Sequence, residues 1–182
     1  MDFPNSELWN YSTQIWTLPQ VEAICLDLQN DYHANVNMLL YCCWLGDKNL
    51  SFNDDDLQTL LDTIQPWQIM IKPLRDSRKM MKQHIIAMPA DMVEQTIANI
   101  SEMELNAEHM SQLALEKALK LEEFSPCTNL NNIECALCNI KTYTNSLDSL
   151  SSVNEIMPQT SQLLVAVFQD EEAVQMAMMS NA

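Results

Sequence analysis

The sequence is almost without glycine: Gly46 is the single one in 182 residues, against a usual share of about 7%. Tight hairpins draw largely on glycine for positive φ, whereas helices can be joined through Asn, Asp, Ser and Pro. The scarcity therefore predicts an all-α fold. It also removes the phosphate-binding loop, the dinucleotide fingerprint and the Gly-x-Ser-x-Gly nucleophile turn, each of which needs more than one glycine. Basic residues are few as well, nine Lys and Arg against 25 Asp and Glu, for a net charge of −16. A basic face that displaces counterions from nucleic acid, or that is drawn to anionic lipid, is not expected. No apolar run reaches the roughly 18 residues that would cross a bilayer. Met1-Asp2-Phe3-Pro4-Asn5-Ser6-Glu7 shows no basic stretch leading into an apolar one, so a cytoplasmic, bacterial, acidic protein is expected.

What is present suits a folded core: 47% of the residues are hydrophobic. The length fits one domain with a short appendage, read as a helical domain over 1–144. Residues 145–182 then form a serine-rich linker and a C-terminal helix packed on the same domain. Six cysteines in a chain that is not a small secreted scaffold should be reduced thiols, with Cys25, Cys42 and Cys43 serving as small core hydrophobes. The thirteen methionines most simply fill irregular gaps between helices; a methionine-rich binding groove is the alternative.

Periodicity gives the elements. Ser6 caps a first helix with Leu8, Trp9, Ser12, Ile15 and Trp16 on one face. Pro19 starts a second, burying Val21, Ile24, Cys25, Leu28 and Tyr32. A third runs from about Asn35 to Leu45, and Gly46 is its expected stop. Asn53 and Asp54 open a fourth, which Pro66 ends or kinks; Trp67 to Ala87 is helical again, with a kink or restart at Pro73. The longest uninterrupted segment runs from Ala90 to about Phe124. On it, alternating steps of four and three select Val93, Ile97, Ile100, Glu104, Ala107, Ser111, Ala114, Ala118 and Leu121. Further helices are expected over Asn129–Tyr143 and, beyond Pro158, over Gln162–Met179, with 145–154 as a linker. The architecture expected is an irregular bundle of seven to eight helices around one long helix, about 90–124.

Several pieces occur in a specific order. Leu8-Trp9-x-Tyr11-Ser12 leads to Trp16, then to Pro19-x-Val21-Glu22-x-x-Cys25-Leu26-x-Leu28-Gln29. Val36-Asn37-x-Leu39-Leu40-x-Cys42-x-Trp44-Leu45 follows, and later Trp67 and Pro73-Leu74-Arg75-x-x-Arg78. Over about residues 6–120 this order resembles a family of small, uncharacterised helical proteins of proteobacteria, a domain of unknown function. The resemblance implies a cytoplasmic helical fold and brings with it no activity, substrate or catalytic residue.

The chemistry-bearing residues form four groups. Lys72, Arg75, Arg78, Lys79 and Lys82 hold five of the nine basic residues within eleven positions, and Arg75, Arg78 or Lys79, and Lys82 share a helix face. Guanidinium forks suit carboxylate or phosphate. Glu104, in the small-residue seam of the long helix, and Glu108 one turn on would be costly there unless paired. Either the arginines cross to Glu104 or Glu108 and pin two helices together, or they keep donors free beside Trp67 and bind a small anion. A merely solvated basic face is the third reading. Next come Cys135-x-x-Cys138 and Cys127, too few for a structural zinc site without further ligands and expected to be structural. Third, the histidines lack Glu at the spacing a carboxylate-bridged metal pair requires; Asp54-Asp55-Asp56 suits a helix N-terminus and Asp170-Glu171-Glu172 a solvated face. Last are Trp9, Tyr11, Trp16, Trp44 and Trp67, core at helical spacing or else the walls of a cleft with Ser12, Gln29 and Asn37 as polar contacts.

No catalytic, metal or cofactor set emerges. The leading functional expectation is a non-enzymatic interaction or scaffold protein that self-associates through an exposed part of the long helix. The other is a protein binding a small anionic ligand through Arg75 and Arg78, with Lys82, Glu104, Glu108 and Trp67 around it.

Overall fold

The computed structural model describes residues 3–83, 89–147 and 153–180. Eight α-helices occur among them: α1 (Glu7–Trp16), α2 (Val21–Tyr32), α3 (Val36–Asp47), α4 (Asp54–Gln83), α5 (Ala90–Ala118), α6 (Asn132–Asn145), α7 (Val153–Phe168) and α8 (Glu171–Ser180). A two-residue antiparallel bridge, β1 (Leu50–Ser51) with β2 (Ser125–Pro126), ties the α3–α4 connection to the chain after α5. The protein is an all-α bundle.

α3 lies at its centre: every residue from Asn37 to Gly46 is buried. Asn35 caps its start by accepting the Met38 N–H at 3.1 Å, and the Tyr143 hydroxyl accepts the Asn35 N–H at 2.6 Å. α3 packs closely along α6, where Ala136 occupies the space a Cβ on Gly46 would fill. Gly46 is therefore inside α3 and permits a helix approach; the expectation that it stops the helix is corrected. Asn139 fixes the same junction, its amide donating to Leu50 O at 2.9 Å and accepting the Phe52 N–H at 3.3 Å. The same apolar cluster takes in Leu163 and Leu164 of α7 and Val174 and Ala177 of α8.

α4 and α5 form an antiparallel pair that flanks this core rather than running through it: Arg75 meets Glu108 while Arg78 meets Glu104. Pro66 and Pro73 neither end nor restart α4, which continues through both. They lie seven residues apart on its exposed side, where the missing N–H leaves a carbonyl facing solvent and the helix can curve around the core. The long helix ends at Ala118, before the expected Phe124. Leu119 is extended (φ −136°, ψ 144°) and a 3-10 turn, Leu121–Glu123, follows. Leu121 still packs on the core, which is why the apolar stripe continues past the helix.

The last part differs as well. Asn129 has φ 67°, and α6 starts at Asn132, three residues after the expected start. Pro158 sits inside α7, and the expected single C-terminal helix divides where Gln169 takes φ 57°. Asp170 then caps α8, accepting the Ala173 N–H at 3.0 Å, and is exposed together with Glu171 and Glu172, as the expected solvated face. Of the linker expected over 145–154, residues 148–152 lie outside the described ones, as does Ala87. The thiol expectation is corrected too. Cys127 and Cys135 form a disulfide with their Cα atoms 6.1 Å apart, within the span such a bond covers, while Cys25, Cys42, Cys43 and Cys138 are free.

Candidate ligand-binding cleft

α1 is held against α5 at its N-terminal end. Ser6 accepts the Trp9 N–H at 2.9 Å and donates its hydroxyl to Glu116, which also accepts the Glu7 N–H at 3.0 Å. The Trp9 ring stacks on His109, centroids 3.9 Å apart. Toward its C-terminal end α1 parts from α5, and α2, α3 and α4 supply the remaining walls of a cleft of about 790 Å³. That is within the range of small-molecule sites. Trp9, Trp16, Leu26, Val36, Leu40 and Leu105 form its apolar walls; Ser12, Gln29, Asn37, Arg75, Arg78, Lys79, Glu104, Glu108 and Gln112 are among its polar ones.

Arg75 is the hub. Its Nε donates to Glu104 Oε1 at 3.1 Å, Nη1 to Gln29 Oε1 at 2.7 Å and Nη2 to Glu108 Oε1 at 2.7 Å. Arg78 donates to Glu104 from Nε at 2.6 Å and from Nη2 at 3.1 Å. The second oxygen of Glu108 accepts from Asn37 Nδ2 at 2.5 Å, and Asn37 Oδ1 accepts from Gln112 Nε2 at 2.9 Å. One continuous network thus joins α2, α3, α4 and α5.

The two glutamates are held differently. Burial opposes charge on Glu104, but the bonds from Arg78 and Arg75 outweigh it and hold the carboxyl below the ordinary range. Burial pushes Glu108 up, and the pull of Arg75 and Asn37 does not overcome it. Arg78 gains basicity from its bond to Glu104.

Arg75, Arg78, Glu104 and Glu108 are therefore brought together as the seam and the basic face suggested, and all four line the cleft. Lys82 is exposed and Trp67 half-buried, both outside the cleft lining, so the anion pocket expected beside Trp67 is corrected. The cleft opens beside Trp9 and Trp16, and Trp67 stands eleven residues before Arg78, about 16 Å along α4. Trp44 is core, with Lys48 Nζ 5.2 Å from its ring centroid. Ser12, Gln29 and Asn37 are cleft residues; Gln112 is one that sequence reading did not single out. Its only signal was position, eight residues after Glu104. Among the described residues no group of three or more His, Cys, Asp or Glu side chains could hold a metal ion.

Residues 7–115, more than half the chain and the span containing every cleft residue named here, match a family described as "Protein of unknown function (DUF2390)". The chain belongs to that family. No curated protein and no solved structure matches it. The family span takes in α1 to α4 and most of α5; α6, which packs along α3, lies beyond it.

Proposed function

We propose that this family member binds a small molecule carrying an anionic group in the cleft. The observation that carries the reading is a pair of buried polar atoms without a protein partner. Ser12 is 3% and Gln112 2% exposed, yet Ser12 Oγ and Gln112 Oε1 make no hydrogen bond, and both residues line the cleft. Buried polar atoms are ordinarily paired, and a ligand in this space supplies the pairing. The anionic end follows from Arg78, whose Nη1 makes no hydrogen bond among the described residues, and from Lys79 beside it.

Thermal-shift screening of the untagged protein against carboxylates and phosphates tests this. A ligand at 100 times its dissociation constant adds about 2.7 kcal/mol to stability, and Lys79→Met should weaken that gain. The absence of a shift with every anion in the panel would retire the reading.

A second reading is supported by a different surface. Met92 and Met103 are 49% and 56% exposed and lie eleven residues apart on α5, hence on one line with Thr96 and Met110. That line carries no charge in a chain of net −16, so two copies can lie against each other along it without like-charge repulsion. Light scattering across a concentration series reads the association. Met103→Glu should dissociate a dimer, and a monomer at all concentrations would end this reading.

A further inference from the structure

The cleft's polar groups are unevenly spaced, and the spacing specifies a kind of molecule. Resting on the reading of the cleft as a ligand site, we infer that it takes an elongated acid. The anionic head sits at Arg78 and Lys79, an uncharged hydrogen-bond donor sits at Gln112 and Ser12, and an apolar chain lies between.

The head end is set by donors. Arg78 uses Nε and Nη2 on Glu104, which leaves Nη1; Lys79 makes no hydrogen bond among the described residues and lines the same rim. The far end is set by an acceptor. Gln112 spends its Nε2 on Asn37, and its Oε1 is unpartnered. An amide oxygen only accepts, so the ligand must donate there. Ser12 Oγ, also unpartnered, can donate or accept. An ammonium is unsuited to this end: a buried cation needs a carboxylate of its own, and the charge of Glu108 is already balanced by Arg75. A hydroxyl or a carboxamide fits.

The distance between the ends comes from α5 itself. Glu104, which holds Arg78, and Gln112 are eight residues apart on one helix, about 12 Å at 1.5 Å per residue. The cleft's lining includes Val36 and Leu40, walls that ask nothing of a ligand. An extended chain advances roughly 1.2 Å per bond, so about ten bonds connect the two polar ends. An ω-hydroxy acid of medium chain length meets all three conditions.

Isothermal titration of the full chain with ω-hydroxydecanoate, decanoate and decanediol tests the assignment. The hydroxy acid should bind about fivefold or more tighter than decanoate, the worth of one neutral hydrogen bond. It should exceed the diol by about tenfold or more, the worth of a charge-assisted one. Gln112→Met should abolish the preference for hydroxy acid over decanoate; if that variant unfolds, Ser12→Ala carries the same readout. Lys79→Met should weaken both acids and leave the diol unchanged. Equal binding of hydroxy acid and decanoate overturns the donor end, and equal binding of hydroxy acid and diol overturns the head. If none of the three binds while a short carboxylate or phosphate does, the elongated class falls and the cleft reading stands. If no anion binds at all, both fall.

Discussion

Asn37 and Glu108 are 2.5 Å apart, amide nitrogen to carboxylate oxygen, although 71 residues separate them in the chain. Asn37 belongs to the buried central helix and Glu108 to the outer pair, so this contact couples the core to the wall of the cleft. The other Glu108 oxygen is held by Arg75. A carboxylate gripped on both oxygens, with its charge balanced by Arg75, acts on the groups around it. It orients Arg75 and Asn37, and through Asn37 it orients Gln112.

Removing Arg75 should therefore be costly. Arg75→Met leaves Glu108 without its cation and Gln29 without its donor; the pair is part-buried, each side chain 22% exposed, and leaving such groups unpaired costs about 1–3 kcal/mol. Urea unfolding should show that loss. Lys72→Met, which removes the exposed i,i+4 pair with Asp76, should change stability by less than about 0.5 kcal/mol. Equal effects of the two substitutions would mean the Arg75 network contributes no more than a surface pair.

Acid should separate the two glutamates. Glu104 has a folded pKa below its ordinary 4.5. Its contribution is thus present above 4.5 and lost as pH falls through the lower folded value. The stability gap between wild type and Glu104→Gln should narrow on acidification. Glu108 has the opposite sign: its folded pKa is raised above 4.5. Its contribution is complete below 4.5 and is lost as pH rises through the folded value. Wild type should accordingly gain on Glu108→Gln as pH falls. Urea midpoints between pH 7 and pH 3.5 read both slopes, and the same sign for both variants would contradict the network.

The encounter of Arg75 and Arg78 with Glu104 and Glu108 was legible in the sequence, because a carboxylate in an apolar seam demands a cation and only one basic cluster could supply it. Gln29, Asn37 and Gln112 were less so. Amides carry no charge to announce a partner, and their pairing depends on how α2, α3 and α5 converge. Trp67 misled because it shares a segment and nearly a face with Arg78 but lies eleven residues away, about 16 Å along α4, and so outside the cleft. Gly46 misled for a different reason: glycine serves both helix ends and close helix approaches, and only the position of Ala136 decides between them. The ends of α5 and α6 were blurred because Leu121 and Leu130 extend an apolar pattern into non-helical backbone.

Gly46 gives a direct measure of the α3–α6 approach. A Cβ there would meet the Cβ, Cα and N of Ala136, two of them backbone atoms that cannot swing aside. Gly46→Ala should destabilise by about 1–3 kcal/mol, the usual cost of overpacking, despite alanine's better helix propensity. Because backbone is involved, Ala136→Gly should restore only part of the loss. A neutral or stabilising Gly46→Ala, read by thermal and urea unfolding, would show that the two helices do not touch there.

The disulfide between Cys127 and Cys135 makes the last prediction. It closes a loop of separation eight that links the end of β2 to the first turn of α6, and Cys127 N–H also donates to Asn49 O at 2.9 Å. The strand bridge and the disulfide thus hold the same corner by independent bonds. Protein purified without reductant and unfolded in guanidinium should titrate four thiols with an aromatic disulfide reagent, matching Cys25, Cys42, Cys43 and Cys138. Prior reduction should raise the count to all six. Cys127→Ser should give five without reductant, since Cys135 is released while the other four are unchanged. Closing so short a loop contributes roughly 2.5 kcal/mol in chain-entropy terms, so reduction should lower the melting temperature of wild type and leave that of Cys127→Ser where it was. Six thiols in the untreated wild type would show the corner held by the strand bridge alone.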